Sequence, residues 1–305
     1  MHIETWMIVL AVGLDLALAD PLWLPHPVRA IGAAYAVLDA LADRLGLRNR
    51  FFGACCVALV AGTSGGIVWL LGRIPGIGAV CGLYFAYAGL ALGGLLREGR
   101  KGAALLENGQ VEAARTVVAG LVSRDVTALD AAGLWRALAE TVAENANDAF
   151  VAPFFWLAVA GLPGLWAYKA VSTADSMWGY RTPRYRDLGW FGARADDALA
   201  WLPARIAAVG MWIAAKILGM GKAVRFGDVV ADARKSASPN AGWPMAAAAW
   251  LCGASMGGPS VYFGRLVQKP VFGPTESLWD ARRFAMLMRL VLFESGIVVV
   301  VTVLL

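Results

Sequence analysis

Three acidic residues, Glu140, Glu144 and Asp148, recur every four residues in a segment that runs directly into a hydrophobic, aromatic stretch. If the segment is helical, the three carboxylates share one face of the helix. Like charges at this spacing repel each other, so a cation or a basic side chain must neutralise them. Carboxylate oxygens are hard ligands that suit Mg2+, which usually also holds phosphate groups. The pattern therefore indicates a magnesium site, with a solvated helix face as the alternative.

A second polar cluster extends from residue 168 to residue 205, although the chain around it is apolar. Cationic side chains at this density favour recognition of phosphate, and the acids among them could hold a metal ion. The alternative is a network of structural salt bridges, such as Arg194 or Arg205 with Asp197. The members of the cluster with chemistry to offer are Lys169, Thr173, Asp175, Ser176, Arg181, Arg194, Asp196, Asp197 and Arg205.

Acidic side chains and one histidine lie near the N-terminus. His26 stands between two prolines, which favour a turn or an extended backbone over a position in a buried helix. A lone histidine is more often structural than catalytic, but Asp20 lies close to it in sequence. Asp15 is placed inside an apolar segment, where an acid is costly, and is a functional candidate for that reason.

A Ser-Pro-Asn turn at residues 238–240 is the last polar motif. Its amides and hydroxyls could bind an anion, or Ser238 or Asn240 could cap the helix that follows. No segment resembles the glycine-rich phosphate loop of nucleotide-binding proteins, so a nucleotide would be held in another way. Four cysteines without CxxC spacing and two histidines support neither a zinc site nor a disulfide framework.

The composition shows what kind of scaffold must position these residues. The chain has 305 residues, of which 59% are hydrophobic and 16% charged, and its mean hydropathy is +0.61. These values are typical of a polytopic membrane protein and exclude a disordered chain. The net charge of +5 is spread over short loops, as the positive-inside rule expects, so we expect no nucleic-acid partner.

Hydrophobic length locates the membrane segments, because a helix needs about 20 apolar residues to cross a bilayer. Three segments meet this length, and four shorter or interrupted ones come close. The three are Phe51–Leu71, Ala79–Leu96 and Ala285–Leu305, and the four are Trp6–Ala19, Phe150–Trp166, Leu199–Leu218 and Trp243–Tyr262. Basic loops follow so many of these segments that the loops cannot simply alternate between the two sides of the membrane with all basic loops on the cytoplasmic side. We therefore expect some of the shorter segments to enter and leave the membrane on the same face.

The expected architecture is an all-α, polytopic integral membrane protein with about five to seven membrane segments and cytoplasmic helical loops. We predict a single membrane domain over residues 1–305. It includes a solvent-facing polar helical hairpin at about 97–148, broken near Asn108 and Gly109, and a polar motif loop at about 167–200.

Taken in order, five motifs resemble the CobD/CbiB family, the integral-membrane adenosylcobinamide-phosphate synthases. They are Asp20-Pro-x3-Pro-His26-Pro-Val-Arg29, Glu144-Asn-x-Asn147-Asp148-x4-Pro153, Thr173-x-Asp175-Ser176-Met-x-Gly-Tyr180, Ala193-Arg194-x-Asp196-Asp197 with Pro203-Ala-Arg205, and Ser238-Pro-Asn240-Ala-Gly-Trp-Pro244. The resemblance covers nearly the whole chain. Three positions depart from the family pattern: Ser172 replaces an asparagine, Ser236 a histidine and Met245 a glutamate.

The resemblance implies an activity, namely amide formation between the propionate carboxylate of adenosylcobyric acid and the amine of aminopropanol or its O-phosphate, with ATP and Mg2+ as cofactors. The implied metal ligands are Glu144, Asn147 and Asp148. The implied catalytic residues are Asp20, His26, Asp175, Asp196 and Asp197. The implied substrate- and phosphate-binding residues are Arg29, Lys169, Thr173, Ser176, Arg181, Arg194, Arg205, Ser238 and Asn240.

The resemblance also implies a multi-pass protein of the cell membrane whose active face is cytoplasmic. Its partners would be the corrinoid substrate, aminopropanol or its phosphate and the lipid bilayer, with a homo-oligomer or an association with other cobalamin-pathway membrane enzymes as further expectations. Two alternatives remain open. One is a membrane transferase that uses Mg2+ and a diphosphate, and the other is a transporter or binding protein for a corrinoid without enzymatic activity.

Overall fold

The computed structural model of the chain describes residues 4–21, 23–262, 264–275 and 277–304. These residues form α-helices joined by short connections, with four very short strands near the C-terminus. The helices are α1 Thr5–Leu18, α2 Pro27–Leu45, α3 Arg50–Leu71, α4 Gly78–Gly89, α5 Leu92–Glu107, α6 Val111–Ala119, α7 Ala131–Ala146, α8 Ala152–Trp178, α9 Trp190–Leu199, α10 Trp201–Ile217, α11 Phe226–Ala233, α12 Gly242–Cys252 and α13 Ala281–Leu304. The expected all-α class is confirmed.

The chain forms two compact units. The first contains Met1–Gly93 and Ala152–Ala200, and the second contains Gly94–Val151 and Trp201–Leu305. Each unit is therefore assembled from two separate stretches of sequence.

Helices α3 and α8 pack closely against each other in the first unit. A Cβ atom added at Gly65 would lie 2.9 Å from the carbonyl oxygen of Pro163, so only glycine permits this approach. Helix α8 is broken at Gly161, whose φ of 65° belongs to the left-handed region that glycine adopts readily. Farther along α8, Tyr35 of α2 donates a hydrogen bond to the carbonyl oxygen of Ala170 at 3.0 Å.

A break between α4 and α5 is stabilised by the fully buried side chain of Asp15 on α1. Its Oδ2 atom accepts a hydrogen bond of 3.1 Å from the backbone N–H of Gly93, in the first turn of α5. The first amides of a helix lack partners within the helix, so this carboxylate caps α5 from a neighbouring helix. A Cβ at Gly93 would lie 1.9 Å from the backbone oxygen of Asp15. The costly acid noted in the sequence thus has a structural role.

The polar stretch before residue 148 differs from the solvent-facing hairpin that we expected. It breaks after Glu107, and Gly109 adopts a left-handed φ of 70°, as expected. However, it contains three helices, α5 to α7, instead of two. Helix α7 is mostly buried because its Ala- and Leu-rich surface packs against α12 and α13 in the second unit.

Four helical stretches are long and apolar enough to cross a membrane. They are Arg50–Leu71, Gly78–Glu107, Ala131–Trp178 and Ala281–Leu304, and the pair Trp190–Leu199 and Trp201–Ile217 adds a fifth if it forms one span. Helix α1, with 14 residues, is apolar but shorter. A multi-pass membrane protein is therefore confirmed. Leu305, which ends one of the expected segments, lies outside the described residues.

The expected segment Trp243–Tyr262 is wrong, because helix α12 ends at Cys252 and Gly253 adopts a left-handed φ of 71°. The chain then forms two small antiparallel pairs. Strand β1 Met256–Gly257 pairs with β4 Val271–Phe272, and β2 Ser260–Tyr262 pairs with β3 Arg265–Val267. The segment expected as a motif loop at 167–200 is largely helical, since α8 continues to Trp178 and α9 begins at Trp190.

Candidate functional site

The site residues expected from the sequence are divided between the two units. The first unit contains Asp20, His26, Arg29, Lys169, Thr173, Asp175, Ser176, Arg181, Arg194, Asp196 and Asp197. The second unit contains Glu144, Asn147, Asp148, Arg205, Ser238 and Asn240.

The acidic segment of the second unit contains an irregular helical turn. Helix α7 ends at Ala146, and residues Asn147–Val151 form a π-helical turn. A π-turn is wider than an α-turn, and such turns are frequent at functional sites. Asp148 is the second residue of this turn and lies within electrostatic range of Glu144.

Glu140 is a structural member of this acidic segment. Its carboxylate is buried and forms an ion pair with the buried Arg124, and Arg136 lies 3.8 Å away. The backbone N–H of Gly257, in strand β1, donates a hydrogen bond of 2.6 Å to it. A buried carboxylate with these partners is already neutralised, so Glu140 has little capacity left for a metal ion.

Glu144, Asn147 and Asp148 have different surroundings. Glu144 is exposed and lies within electrostatic range of Asp148 and of Lys269, a residue that sequence analysis did not single out. Asn147 donates a hydrogen bond of 2.8 Å to Asp148 Oδ1, while its own Oδ1 is buried and has no partner among the described residues.

This arrangement offers two carboxylates and one amide oxygen. No group of three or more His, Cys, Asp or Glu side chains in the described part of the chain is suited to hold a metal ion. Mg2+ does not need such a cage, because it commonly binds one or two carboxylates together with water and substrate phosphates. The three oxygen donors fit Mg2+ in this way, and the metal assignment stays a prediction.

The structure brings Arg205, Ser238 and Asn240 together. Arg205 donates hydrogen bonds to Asn240 Oδ1 at 3.4 Å and to the carbonyl oxygen of Pro239 at 3.3 Å. Ser238 Oγ accepts hydrogen bonds from the backbone N–H groups of Asn240 and Ala241, just before α12 begins. Ser238 therefore stabilises the turn that precedes α12. It does not cap the helix, because the N-cap of α12 is Ala241 and receives no side-chain cap hydrogen bond.

Asp20 and His26 form a contacting pair in the first unit. His26 Nε2 lies 3.3 Å from Asp20 Oδ1, and His26 Nδ1 accepts a hydrogen bond of 3.3 Å from the backbone N–H of Val28. His26 is thus the N-cap of α2, and the proton of the neutral ring is on Nε2, facing Asp20. Both ring nitrogens are engaged, whereas the carboxylate of Asp20 is partly exposed.

Lys169, Thr173 and Ser176 lie on one face of α8, since their spacing is four and then three residues. Thr173 Oγ1 donates a hydrogen bond of 2.7 Å back to the carbonyl oxygen of Lys169. Asp175, on the adjacent face, packs over Gly179, where an added Cβ would lie 2.2 Å from its Oδ1 atom. The helix therefore presents a cation and two hydroxyls along one line.

The remaining residues of the first unit are more exposed. Arg194 and Asp197 of α9 form an ion pair of 3.8 Å, as the salt-bridge alternative predicted, and the exposed Arg181 lies within electrostatic range of Asp197. Asp196 is half-buried on the same helix. Arg29 is exposed in the first turn of α2 and makes no ion pair with any described residue.

An ion-pair network that the sequence did not indicate fastens the segment between α8 and α9. Arg184 lies 2.7 Å from Asp39 and 2.8 Å from Asp43, both on α2, and Arg48 pairs with the same two acids. The hydrogen bond from Arg48, assisted by Arg184, lowers the pKa of Asp43 to about 2. Arg184 lies 145 and 141 positions from Asp39 and Asp43, so no local pattern could reveal these two pairs.

Comparisons with known proteins bear on the whole chain. The family model described as CobD/Cbib protein matches residues 8–291. A protein of Pelobacter propionicus is 36% identical, with 93% of this chain and 90% of that protein covered. One from Geobacter metallireducens is 36% identical (90% and 88% covered), and one from Rhodobacter capsulatus is 37% identical (87% and 85% covered).

All three relatives are named cobalamin biosynthesis protein CobD. No solved structure matches the chain. The family model covers far more than half of the sequence, and the relatives share more than a third of their residues with it along most of their length. The chain therefore belongs to the CobD/CbiB family.

Proposed function

We propose that this chain is an enzyme of cobalamin biosynthesis. It joins a propionate carboxylate of adenosylcobyric acid to the amine of aminopropanol, or of its O-phosphate, in an amide bond with ATP and Mg2+. Membership of the CobD/CbiB family supports the pathway, since the relatives carry its name. The active face of the multi-pass protein is cytoplasmic in this proposal, because ATP is available on that side.

One observation carries the chemical part of the proposal: the oxygen donors around the π-helical turn. The exposed carboxylate of Glu144, the carboxylate of Asp148 and the buried, unpartnered Oδ1 of Asn147 are all hard ligands of the kind that Mg2+ prefers. A site with only two carboxylates leaves coordination positions for substrate phosphates. These three residues would hold Mg2+ in the proposed enzyme.

The substrate carboxylate is a poor acceptor, and bound ATP would supply the phosphoryl or adenylyl group that activates it. The residues of the first unit would bind the substrates and remove a proton from the amine. Asp20 would accept the proton of the attacking amine, because its carboxylate is partly exposed and is oriented by His26 at 3.3 Å. His26 acts as a positioning residue here, since its Nδ1 caps α2 and its Nε2 faces Asp20.

Basic side chains of the first unit would bind the anionic parts of the substrates. Lys169 lies beside the hydroxyls of Thr173 and Ser176 on α8, and Arg181 and Arg194 are exposed near Asp197. Guanidinium and ammonium groups form charge-assisted hydrogen bonds with phosphate and carboxylate oxygens. Asp175, Asp196 and Asp197 are the acids of this unit whose negative charge would attract the ammonium form of the amine.

The decisive experiment is an assay of the purified protein in detergent with adenosylcobyric acid, aminopropanol or its O-phosphate, Mg2+ and one nucleoside triphosphate at a time. We expect a product whose mass equals that of the two substrates minus water, formed with stoichiometric consumption of nucleotide. Corrinoid binding without product in every combination would instead support a transporter or binding protein. Turnover of a diphosphate substrate would support the membrane transferase.

A further inference from the structure

A cavity in the second unit has a pronounced positive character. Its volume is about 420 Å3, and no acidic side chain contributes to its wall among the described residues. The polar and aromatic residues that line it are Trp201, Arg205, Arg234, Ser236, Ser238 and Trp243. The cavity thus combines two guanidinium groups and two hydroxyls, the donor set of an anion site.

Arg205 is held rigidly at this cavity. Its guanidinium group lies 4.0 Å from the ring centroid of Trp201 and 4.6 Å from that of Trp243. It donates three hydrogen bonds, to the carbonyl oxygens of Trp201 and Pro239 and to Asn240 Oδ1. A guanidinium group has five N–H donors, so those on Nε and one on Nη2 remain for a ligand. Because the group is already fixed, a ligand does not have to order it.

Arg234 supplies a second positive charge from the C-terminal end of α11. It is exposed and makes no ion pair with any residue in the described ranges. The nearest acid in sequence, Asp232, is buried and already saturated. It pairs with Lys235 at 2.5 Å and accepts hydrogen bonds from Trp250 Nε1 at 2.8 Å and from the backbone N–H of Gly273 at 2.7 Å. The charge of Arg234 is therefore not cancelled locally.

The two serines add neutral donors. Ser236 Oγ accepts a hydrogen bond from the N–H of Ser238, and Ser238 Oγ accepts from two amides before α12. Each hydroxyl therefore uses its oxygen for the turn and keeps its hydrogen for another acceptor. An added Cβ at Gly242 would lie 2.6 Å from Ser236 Cβ, so the turn is packed tightly against the end of α11.

We propose that this cavity binds a phosphate dianion, with Arg234 as a second phosphate-binding residue beside Arg205 and with Trp201 and Trp243 as positioning residues. The charges match, because a phosphate monoester carries about −1.5 to −2 at neutral pH and two guanidinium groups supply +2. Two substrates could bring this group: an O-phosphorylated amine or the terminal phosphate of a nucleotide. The inference rests on the proposed function for the identity of these substrates.

The test uses inorganic phosphate as the probe and calorimetry or 31P NMR on the purified full-length protein. Arg234→Ala should weaken phosphate binding by about tenfold or more, as expected for a lost charge-assisted hydrogen bond. Arg205→Lys keeps the charge but loses the planar guanidinium group beside the two indoles, and it should also weaken phosphate binding. The control is Arg225→Ala, which removes the same charge at the opposite end of α11 and lies outside the cavity lining.

Steady-state kinetics of amide formation then identify the source of the phosphate. A higher apparent KM for aminopropanol O-phosphate alone in Arg234→Ala would assign the cavity to the amine, and a higher KM for ATP alone would assign it to the nucleotide. The proposal is overturned if the wild-type protein does not bind phosphate, or if Arg234→Ala and Arg205→Lys bind it as tightly as the Arg225→Ala control.

The binding measurement separates this inference from the proposed function, because it needs no turnover. If phosphate binding depends on Arg234 but no amide forms, the site stands and the proposed function fails. If the wild-type protein forms the amide and neither substitution alters phosphate binding, the function stands and the site fails.

Discussion

Two glutamates one helical turn apart show that the surroundings of a residue determine whether it has a structural or a chemical role. Glu140 and Glu144 look equivalent in the sequence, and both belong to the predicted acidic face. Glu140 is buried, and its carboxylate forms an ion pair with Arg124 and accepts a hydrogen bond from the backbone N–H of Gly257. Gly257 lies more than a hundred positions farther along the chain. Glu144 remains exposed. Glu144, with the neighbouring Asn147 and Asp148, is therefore the better candidate for chemistry.

This contrast leads to a prediction about the metal site. Glu144→Gln and Asp148→Asn should each lower amide formation at limiting Mg2+ by at least about tenfold, since each removes a charged ligand. The free energy of unfolding should change by less than about 0.5 kcal/mol, because neither side chain is buried. The measurement is initial rate against Mg2+ concentration, with thermal unfolding in parallel.

Glu107→Gln is a suitable control, since it neutralises an exposed acid at the end of α5 and should leave the Mg2+ dependence unchanged. Unaltered Mg2+ dependence in both Glu144→Gln and Asp148→Asn would remove the metal role from this segment.

Hydrophobic length was a good guide to the longest helices but a poor guide to where they break. Helices α3 and α13 lie where an uninterrupted apolar stretch predicted them. In contrast, the apolar stretch that begins at Trp243 is helical only to Cys252 and then forms short strands. No residue type in the sequence predicts the π-helical turn at Asn147–Val151. Small apolar residues are compatible with both helix and strand, so tertiary contacts decide between them. The motifs predicted which residues could form the site, but not their partners.

The break between α4 and α5 gives a prediction about stability. Asp15→Leu removes the acceptor for the Gly93 amide and should lower the free energy of unfolding by about 0.5–2 kcal/mol, the usual effect of losing a helix cap. Asp15→Asn keeps an oxygen acceptor and should cost less. Thermal unfolding in detergent, followed by circular dichroism, compares the two variants. Equal stability of Asp15→Leu and the wild-type protein would contradict the capping role.

The segment between α8 and α9 should respond to acid. The pKa of Asp43 is about 2 in the folded protein against an ordinary value of 3.8. A lowered pKa means that its ion pairs stabilise the fold fully above about pH 4, and that this contribution is lost as the pH falls through about 2. We therefore expect hydrogen-exchange protection of the amides at residues 185–189 to decrease across this range.

Asp43→Asn should show lower protection at pH 4 and a flatter dependence on pH. Glu98→Gln, which alters an acid in another helix, should behave like the wild-type protein. A steep loss of protection in Asp43→Asn over the same range would assign the acid response to another group.

On the scale of the whole molecule, the distribution of arginines indicates an orientation in the membrane. Arg48 and Arg50 lie at the N-terminal end of α3. Arg50 forms an ion pair with Asp187, and Arg48 donates a hydrogen bond of 3.3 Å to the carbonyl oxygen of Arg184, both in the segment between α8 and α9. That segment adds Arg181, Arg184 and Arg186, whereas the connection beyond the other end of α3, residues 72–77, has a single arginine, Arg73. Because basic loops stay on the cytoplasmic side, the richer end of α3 should be cytoplasmic.

The last prediction is therefore that the loops near Asp175, Asp197, Glu144 and Asn240 all face the cytoplasm, while residues 72–77 face outward. Single cysteines can be introduced at Arg186, at Ala237 directly before the Ser-Pro-Asn turn and at Arg73, all exposed positions, after Cys55 and Cys81 are replaced by serine. Cys56 and Cys252 are buried and can remain.

In intact cells, a membrane-impermeant maleimide should label only the cysteine at position 73, and permeabilisation should add labelling of the other two. Arg73 is a matched internal control, since it is separated from the Arg186 segment only by the length of α3. Labelling of position 186 or 237 from outside would show that the corresponding loop is not cytoplasmic, and the proposed cytoplasmic active face would then fail.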